Sequence, residues 1–217
     1  MLILERVLSL AIGYFCGCFV TGYFYGKSKQ VDIRTMGSGN AGTTNTLRNL
    51  GWKAGIITFL GDCFKCVLAI LLVHFIFRND KAEVLKLLEL YAGLGAILGH
   101  NFPFYLGFKG GKGIACTAGL LIAFCPFEVP VCLLLFVAAV LLTRYVSVGS
   151  ILAVLSFFVQ TIVFGQMGWF HMEPQYLMEL YILSAVITGM AIFRHRSNIK
   201  RLLNGTENKF KMSKKEA

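Results

Sequence analysis

The chain has 217 residues, of which 56% are hydrophobic and only 15% charged, with a mean hydropathy of +0.68. A soluble domain carries about 25% charged residues, so this composition excludes a water-soluble enzyme on a single anchor and points to one polytopic membrane domain, residues 1–217. The net charge of +10 comes from 21 Lys and Arg against 11 Asp and Glu. These cations lie between apolar runs, so they read as contacts to anionic headgroups, orientation signals or partners of a polyanionic substrate, not as a nucleic-acid surface.

The first apolar run, 2–24, is interrupted only by Gly13, Gly17 and Gly22. It lacks the positive start and small-residue cleavage site of a signal peptide, and reads as a retained span. A loop over 25–53 follows, holding Arg34-Thr-Met-Gly-Ser-Gly-Asn-Ala-Gly-Thr-Thr-Asn-Thr-Leu-Arg48. Three glycines and five hydroxyls between two arginines suit a turn whose unpaired N–H groups hold an anion. A solvated turn between membrane helices is the other reading. No Gly-x-x-x-x-Gly-Lys-Ser/Thr is present, and the stretch does not follow a strand.

A second span over 55–77 carries Asp62 and Lys65, three residues apart and about two turns into the membrane. Ionisable groups at such depth are functional or form a buried pair; here a pair that holds the loops is favoured over direct catalysis. After the turn Arg78-Asn-Asp-Lys81, a third span covers 82–98. The second unusual loop is His100-Asn-Phe-Pro-Phe-Tyr-Leu-Gly-Phe-Lys-Gly-Gly-Lys-Gly113. Two lysines on a glycine-rich turn offer compact charge to phosphate oxygens, or a plain membrane anchor.

The apolar run 114–143 is too long for one ordinary span, and Pro126 and Pro130 divide it into pieces over 114–125 and 129–143. Both are short for a bilayer at about 1.5 Å per residue and need little tilt or a locally thinned membrane. A sixth span over 148–165 follows Arg144 and Ser147, a polar hairpin occupies 166–175, a seventh span covers 176–193, and a basic tail runs over 194–217. The fold class expected is an all-α integral membrane protein of seven transmembrane helices with Gly-rich active-site loops.

Parity of seven spans puts the loops 25–53, 100–113 and 144–147 and the tail on one face, with 16 of the 21 Lys and Arg. The positive-inside rule makes that face cytoplasmic and the N-terminus external. Ser147, His195 and Asn198 join the two loops there; the last two share a helix face if the seventh span continues. His100 opens the second loop and is placed to orient it, while His74 and His171 read as structural. All seven cysteines lie in or beside spans, and Cys63-Phe-Lys-Cys66 reads as apolar filler rather than a redox pair. Neither a metal-ligand cluster nor a Gly-x-Ser-x-Gly elbow appears, so no metal or cofactor is expected.

Gly37-Ser-Gly-Asn-Ala-Gly-Thr-Thr-Asn45 with Arg48, Gly99-His-Asn-Phe with Lys109-Gly-Gly-Lys-Gly113, and Arg194-His with Asn198-Ile and Gly205-Thr-Glu-Asn-Lys209 resemble the three motifs of one family. It is the bacterial membrane glycerol-3-phosphate acyltransferases that use acyl phosphate, the PlsY family, and the likeness covers about 5–210. The resemblance implies a seven-helix protein of the bacterial cell membrane with its active site and C-terminus cytoplasmic. It implies acyl transfer from acyl phosphate to the 1-hydroxyl of sn-glycerol 3-phosphate, the opening step of phospholipid synthesis. Such chains work beside a soluble acyl-phosphate synthase without an obligate complex.

By motif, Ser38, Asn40, Gly42, Thr43 and Asn45, with Gly37 and Gly39, would form the phosphate loop. Arg48 and Lys112 would pair with phosphate, with Lys109, Gly110, Gly111 and Gly113 completing the second motif. Ser147, favoured over Ser150, would hold glycerol phosphate together with His195 and Asn198, and Glu207 would brace the third motif. Ser38, Arg48, Lys112, Ser147, His195 and Asn198 form the expected catalytic set. Thr44 and Cys66 depart from the family pattern without touching these contacts. An organic-phosphate transporter is the competing class, but the polar motifs gather on one face rather than at the midplane. A scaffold recruiting acidic partners through the basic tail would leave both glycine loops without a role.

Overall fold

The computed structural model describes residues 2–210; the end of the basic tail, with Lys211, Lys214 and Lys215, lies outside them. Ten α-helices follow in order: α1 Leu2–Cys18, α2 Thr21–Ser28, α3 Thr43–Leu50, α4 Trp52–Phe77, α5 Leu85–Asn101, α6 Ile114–Phe124, α7 Val129–Thr143, α8 Val146–Gln166, α9 Leu177–Arg194 and α10 Arg196–Leu203. No strand occurs among the described residues. This is an all-helical, multi-pass membrane fold.

Five segments are long and apolar enough to cross a bilayer: Ile3–Ser28, Trp52–Phe77, Pro126–Thr143, Val146–Gln166 and Pro174–Arg194. The helix α5, at 17 residues, and α6, at 11 residues, are shorter. The outer surface is oily, with Phe15 69%, Leu134 66%, Leu141 70% and Leu142 85% exposed. In water such a surface would aggregate; against lipid tails it costs nothing.

The centre is α5, whose residues from Leu87 to Ala96 are almost all buried. Its tightest neighbour is α1, and glycine makes that closeness possible. A Cβ on Gly13 or Gly17 would lie 2.1 Å from the carbonyl oxygen of Ala92 or Ala96, and a Cβ on Gly99 would lie 2.1 Å from that of Tyr14. Gly13 and Gly17, like Gly95 and Gly99, are four residues apart, the small-residue spacing that lets membrane helices touch backbone to backbone.

The run 2–24 lies within one membrane segment, Ile3–Ser28, but its helix is not continuous: it breaks at Phe19 and Val20 between α1 and α2. The break frees backbone groups that lipid cannot satisfy, and α4 supplies their partners. Lys65 Nζ donates to the Phe19 carbonyl at 2.7 Å, and Asp62 Oδ1 accepts from the Thr21 N–H at 3.2 Å. Tyr105 closes the gap by donating to the Cys18 carbonyl at 2.8 Å. Asp62 and Lys65 also pair with each other at 2.9 Å, both buried. The pair therefore holds a broken helix, and the free backbone is part of what holds the pair.

The break between α6 and α7 falls where the prolines demand it. A 3-10 turn over Pro126–Glu128 joins the two helices, and α7 begins at Val129 with Pro130 in its first turn, where proline lacks no needed N–H.

Candidate active site

The three motifs meet in one cavity of about 150 Å³. Its wall is built from helix starts. Gly42, Thr43 and Thr44 open α3, Gly113, Ile114 and Ala115 open α6, and Val146 and Ser147 open α8. Each start leaves N–H groups without helical partners and a positive dipole end. Three of them around one space form an anion site before any side chain is counted. Arg48, Lys112 and Arg201 then add cations to the same wall.

Of the residues expected from the motifs, Ser38, Asn40, Gly42, Thr43, Asn45, Arg48, Lys112, Gly113, Ser147, His195, Asn198 and Glu207 all line this cavity. Gly39, Lys109 and Gly110 instead line a wider adjoining hollow of about 550 Å³, which shares Ser38, Asn40, Lys112 and Arg201 with the first. Gly37 and Gly111 border neither. Their work is internal to the loops.

The first loop is held by Asn45. Its Oδ1 accepts from the Ser38 N–H at 2.9 Å and the Asn49 amide at 3.0 Å, and its Nδ2 donates to the carbonyls of Ile33 at 3.1 Å and Met36 at 2.9 Å. All its polar capacity goes to the turn, which makes Asn45 a brace for the cradle. Gly37 and Gly39 have φ of +57° and +70°, which glycine adopts freely. Asn40 Oδ1 accepts from the Gly42 N–H at 2.9 Å, so the loop enters α3 through an Asn turn. Thr43 Oγ1 is buried without a partner among the described residues.

The second loop is held from two sides. Arg194 donates to the Gly111 carbonyl at 3.0 Å and 2.5 Å and to the Gly110 carbonyl at 3.1 Å. On the other side, a Cβ on Gly111 would come within 1.9 Å of His100 Nε2, and one on Gly110 within 2.0 Å of the His100 carbonyl. The two glycines are thus required for packing on His100. Lys112 leaves this clamp and donates to Asn198 Oδ1. Burial lowers its pKa to about 8, with Arg201, Arg194 and Arg48 adding to the effect and Glu207 opposing it.

The third motif converges on Glu207. Its Oε1 accepts from Asn198 Nδ2 at 2.7 Å and Ser147 Oγ at 3.0 Å, and its Oε2 accepts from Arg201 Nε at 2.7 Å. Burial raises the pKa of this carboxyl, but these three donors outweigh it and hold it below the usual value. Ser150, by contrast, donates back to the Val146 carbonyl of its own helix at 2.9 Å. His195 sits between α9 and α10, and its Nδ1 lies 2.7 Å from the Ala191 carbonyl. A carbonyl only accepts, so Nδ1 carries the hydrogen and the neutral ring offers Nε2 as an acceptor. Burial, with Lys112 nearby, drops the His195 pKa to about 4.

The third motif opens on Arg194 without giving it a role, and Arg201 lies outside the motif residues, because arginines in a basic tail look like anchors. Asp62 and His100 also reach the cavity wall from α4 and α5. Among the described residues no group of His, Cys, Asp and Glu forms a metal cluster.

Comparison with known proteins gives this arrangement a family. The family model described as glycerol-3-phosphate acyltransferase matches residues 7–205. Similar curated proteins include the glycerol-3-phosphate acyltransferase of Clostridioides difficile (strain 630), 40% identical over 99% of this chain and 100% of that one. Another is that of Thermoanaerobacter sp. (strain X514), 39% identical over 94% of each chain. Among solved structures, an integral membrane glycerol 3-phosphate acyltransferase, PlsY, in its glycerol 3-phosphate form matches with a TM-score of 0.82 at 34% identity, covering 95% of this chain and 96% of that one. Its lysophosphatidic acid form matches with a TM-score of 0.79. The chain belongs to the PlsY family of glycerol-3-phosphate acyltransferases.

Proposed function

We propose that this protein transfers a fatty acyl group from acyl phosphate to the 1-hydroxyl of sn-glycerol 3-phosphate, giving 1-acyl-glycerol 3-phosphate and phosphate. The observation that carries this reading is the cavity itself, where three helix starts and the cations Arg48, Lys112 and Arg201 surround one space that also holds hydroxyl-binding groups. Both substrates are phosphates, and the acyl donor is a mixed anhydride already activated for attack. The hydroxyl oxygen adds to the acyl carbon, the bond from that carbon to the phosphate oxygen breaks, and phosphate leaves with the electron pair. The protein's part is to hold two phosphates and a carbonyl in register and keep water out.

Ser38 and the α3 start form the cradle, braced by Asn45. Arg48 and Lys112 neutralise phosphate charge, while Ser147, His195 and Asn198 hold the acceptor. With its pKa pushed to about 4, His195 is a hydrogen-bond acceptor and a weak base, so a substrate phosphate takes the hydroxyl proton. In this reading seven helices cross the cell membrane of a bacterium, with α6 and α7 as the short ones. The N-terminus faces out, and the three motifs and the C-terminus face the cytoplasm, where a soluble synthase delivers acyl phosphate without a lasting complex.

The test is direct. Purified protein in detergent, given labelled glycerol 3-phosphate and palmitoyl phosphate, should form labelled lysophosphatidate. The reading fails if no product forms with palmitoyl phosphate, acyl-CoA or acyl-carrier protein.

A further inference from the structure

Asp62 stands apart from every other charged group on the cavity wall. It is fully buried, and its two oxygens have opposite fates. Oδ1 is saturated, accepting from Thr21 N–H at 3.2 Å, Thr21 Oγ at 3.0 Å and Lys65 Nζ at 2.9 Å. Oδ2 is equally buried and accepts from nothing among the described residues, although Asp62 forms part of the cavity lining. Buried polar atoms in native proteins find partners, and one that does not calls for an explanation.

The chemistry of the missing partner is constrained. An ionised carboxylate only accepts, so the partner must bring a hydrogen. A phosphate cannot serve, since it meets the carboxylate with oxygen lone pairs and like charge. Nor can the acyl chain or its carbonyl, which have no donor. The hydroxyl groups of the three-carbon acceptor are the donors that the proposed reaction brings into this cavity. Asp62 lies on α4 one turn beyond Phe59, and both border the cavity. Three groups lock its seat: the helix break at Phe19, the Lys65 ion pair and Thr21. A carboxylate fixed this rigidly can read the position of a hydroxyl.

We propose that Asp62 is a specificity-determining residue of the acceptor site, its Oδ2 accepting a hydrogen bond from a hydroxyl of the bound polyol phosphate. The helix starts and the cations Arg48, Lys112 and Arg201 on the same wall recognise the phosphate end, and Asp62 recognises the hydroxyl end. This rests on the acceptor substrate proposed above. Glu207 on the same wall is taken up by Asn198, Ser147 and Arg201, whereas the spare oxygen of Asp62 rejects a phosphate in the wrong orientation and requires a donor in its place.

The experiment compares wild type, D62N and T21V with glycerol 3-phosphate and two analogues that each lack one hydroxyl. Propane-1,3-diol monophosphate is tested as a substrate, and propane-1,2-diol 1-phosphate as a competitive inhibitor. In D62N the asparagine carbonyl stays among the Thr21 and Lys65 donors, so its amide puts a donor where Oδ2 offered an acceptor. Wild type should prefer glycerol 3-phosphate over at least one analogue by tenfold or more, and D62N should shrink that preference to about twofold. The analogue affected identifies the hydroxyl that Asp62 holds. T21V, which disturbs the seat but leaves Oδ2 in place, should keep the wild-type preference, and inhibition by orthophosphate should be unchanged in D62N. If D62N does not insert, D62E makes the same comparison with the charge kept and the oxygen moved by one methylene. Should wild type acylate glycerol 3-phosphate while the Asp62 variant keeps its preference over both analogues, the inference is overturned and Asp62 is structural only. A wild type that forms no lysophosphatidate overturns the acceptor reading and this inference with it.

Discussion

The Glu207 carboxylate accepts the side-chain amide of Asn198 at 2.7 Å, and this one bond joins the chain after α10 to the residue that meets Lys112. The same carboxylate also gathers Ser147 and Arg201, so four elements of the site are fixed by a group that need not touch substrate. Replacing Glu207 with Ala leaves the Arg201 charge without its partner and frees both Asn198 and Ser147. Hydrogen bonds to a charged group contribute about 1.5–3 kcal/mol each. E207A should therefore lower kcat/KM by at least about tenfold and reduce thermal stability in detergent, while E207Q, which keeps acceptor geometry at one oxygen, should lose less. Equal loss in both variants would mean that the charge, and not the scaffold, is what matters.

The pH profile separates Lys112 from His195. Lys112 titrates near about 8 because it is buried among arginines. Below that pH it is charged and pairs with phosphate; above it the free enzyme loses the charge, so kcat/KM should fall on the alkaline side near pH 8. Bound phosphate restores the proton, which moves the same limb of kcat to higher pH. K112M should be weak throughout and lack the limb. His195, held near about 4, is neutral at every working pH and should contribute no step near its ordinary value. A phosphate monoester has its second pKa near about 6, so a limb there that survives in H195Q belongs to the substrate acting as base. A limb near pH 6.5 that disappears in H195Q would instead make His195 the base.

The helical segments were legible because bilayer-length apolar runs and paired prolines leave few alternatives, and the structure places a helix over each of them. The break at Phe19 and Val20 was not, since the groups that satisfy its freed backbone, Asp62 and Lys65, lie more than forty residues later. That the three motifs belong together was legible from the sequence reading, which puts them all in loops on one side, and residues of all three line one cavity. What each residue does inside it was less so. Asn45 reads as a phosphate ligand in the motif, yet its amide is committed to the backbone of Ile33, Met36 and Ser38 and to the Asn49 side chain. Arg194 and Arg201 hide in a basic tail, where sequence cannot tell a clamp from an anchor.

The second motif offers a sharp steric test. Gly111 lies so close to His100 that a methyl group would reach 1.9 Å from its ring, whereas Gly107 has open space around its Cβ position and only a positive φ of +60° to strain a side chain. G111A must push the loop off α5 or turn the His100 ring away from Lys65, which it meets at 2.9 Å. Either movement displaces Lys112 one residue on, and a shift of about 1 Å at a positioned group costs about a hundredfold. Activity in G111A should fall by about that factor with insertion intact, while G107A should lose much less. Comparable activity in the two variants would show that the loop's packing on His100 does not position the lysine.

Lys65 gives the strongest stability prediction. Its ammonium sits 2.7 Å from the Phe19 carbonyl, 2.9 Å from Asp62 and 2.9 Å from His100 Nδ1, with the side chain only 6% exposed. The lysine therefore donates to three acceptors that lipid cannot otherwise satisfy. K65M keeps much of the length and apolar stem but strands the Asp62 charge and the broken-helix carbonyl together. Removing one partner of a buried ion pair costs about 3–5 kcal/mol. A control on the exposed start of α4, K53M, should cost less than about 0.5 kcal/mol. Thermal unfolding in a mild detergent, followed by a thiol probe for the buried Cys66 and Cys116, should show K65M melting well below both wild type and K53M. The double variant D62N/K65M should recover part of the loss, since it no longer buries an unpaired charge. If K65M melts with wild type, the bend between α1 and α2 is held by helix packing alone and the pair is a passenger.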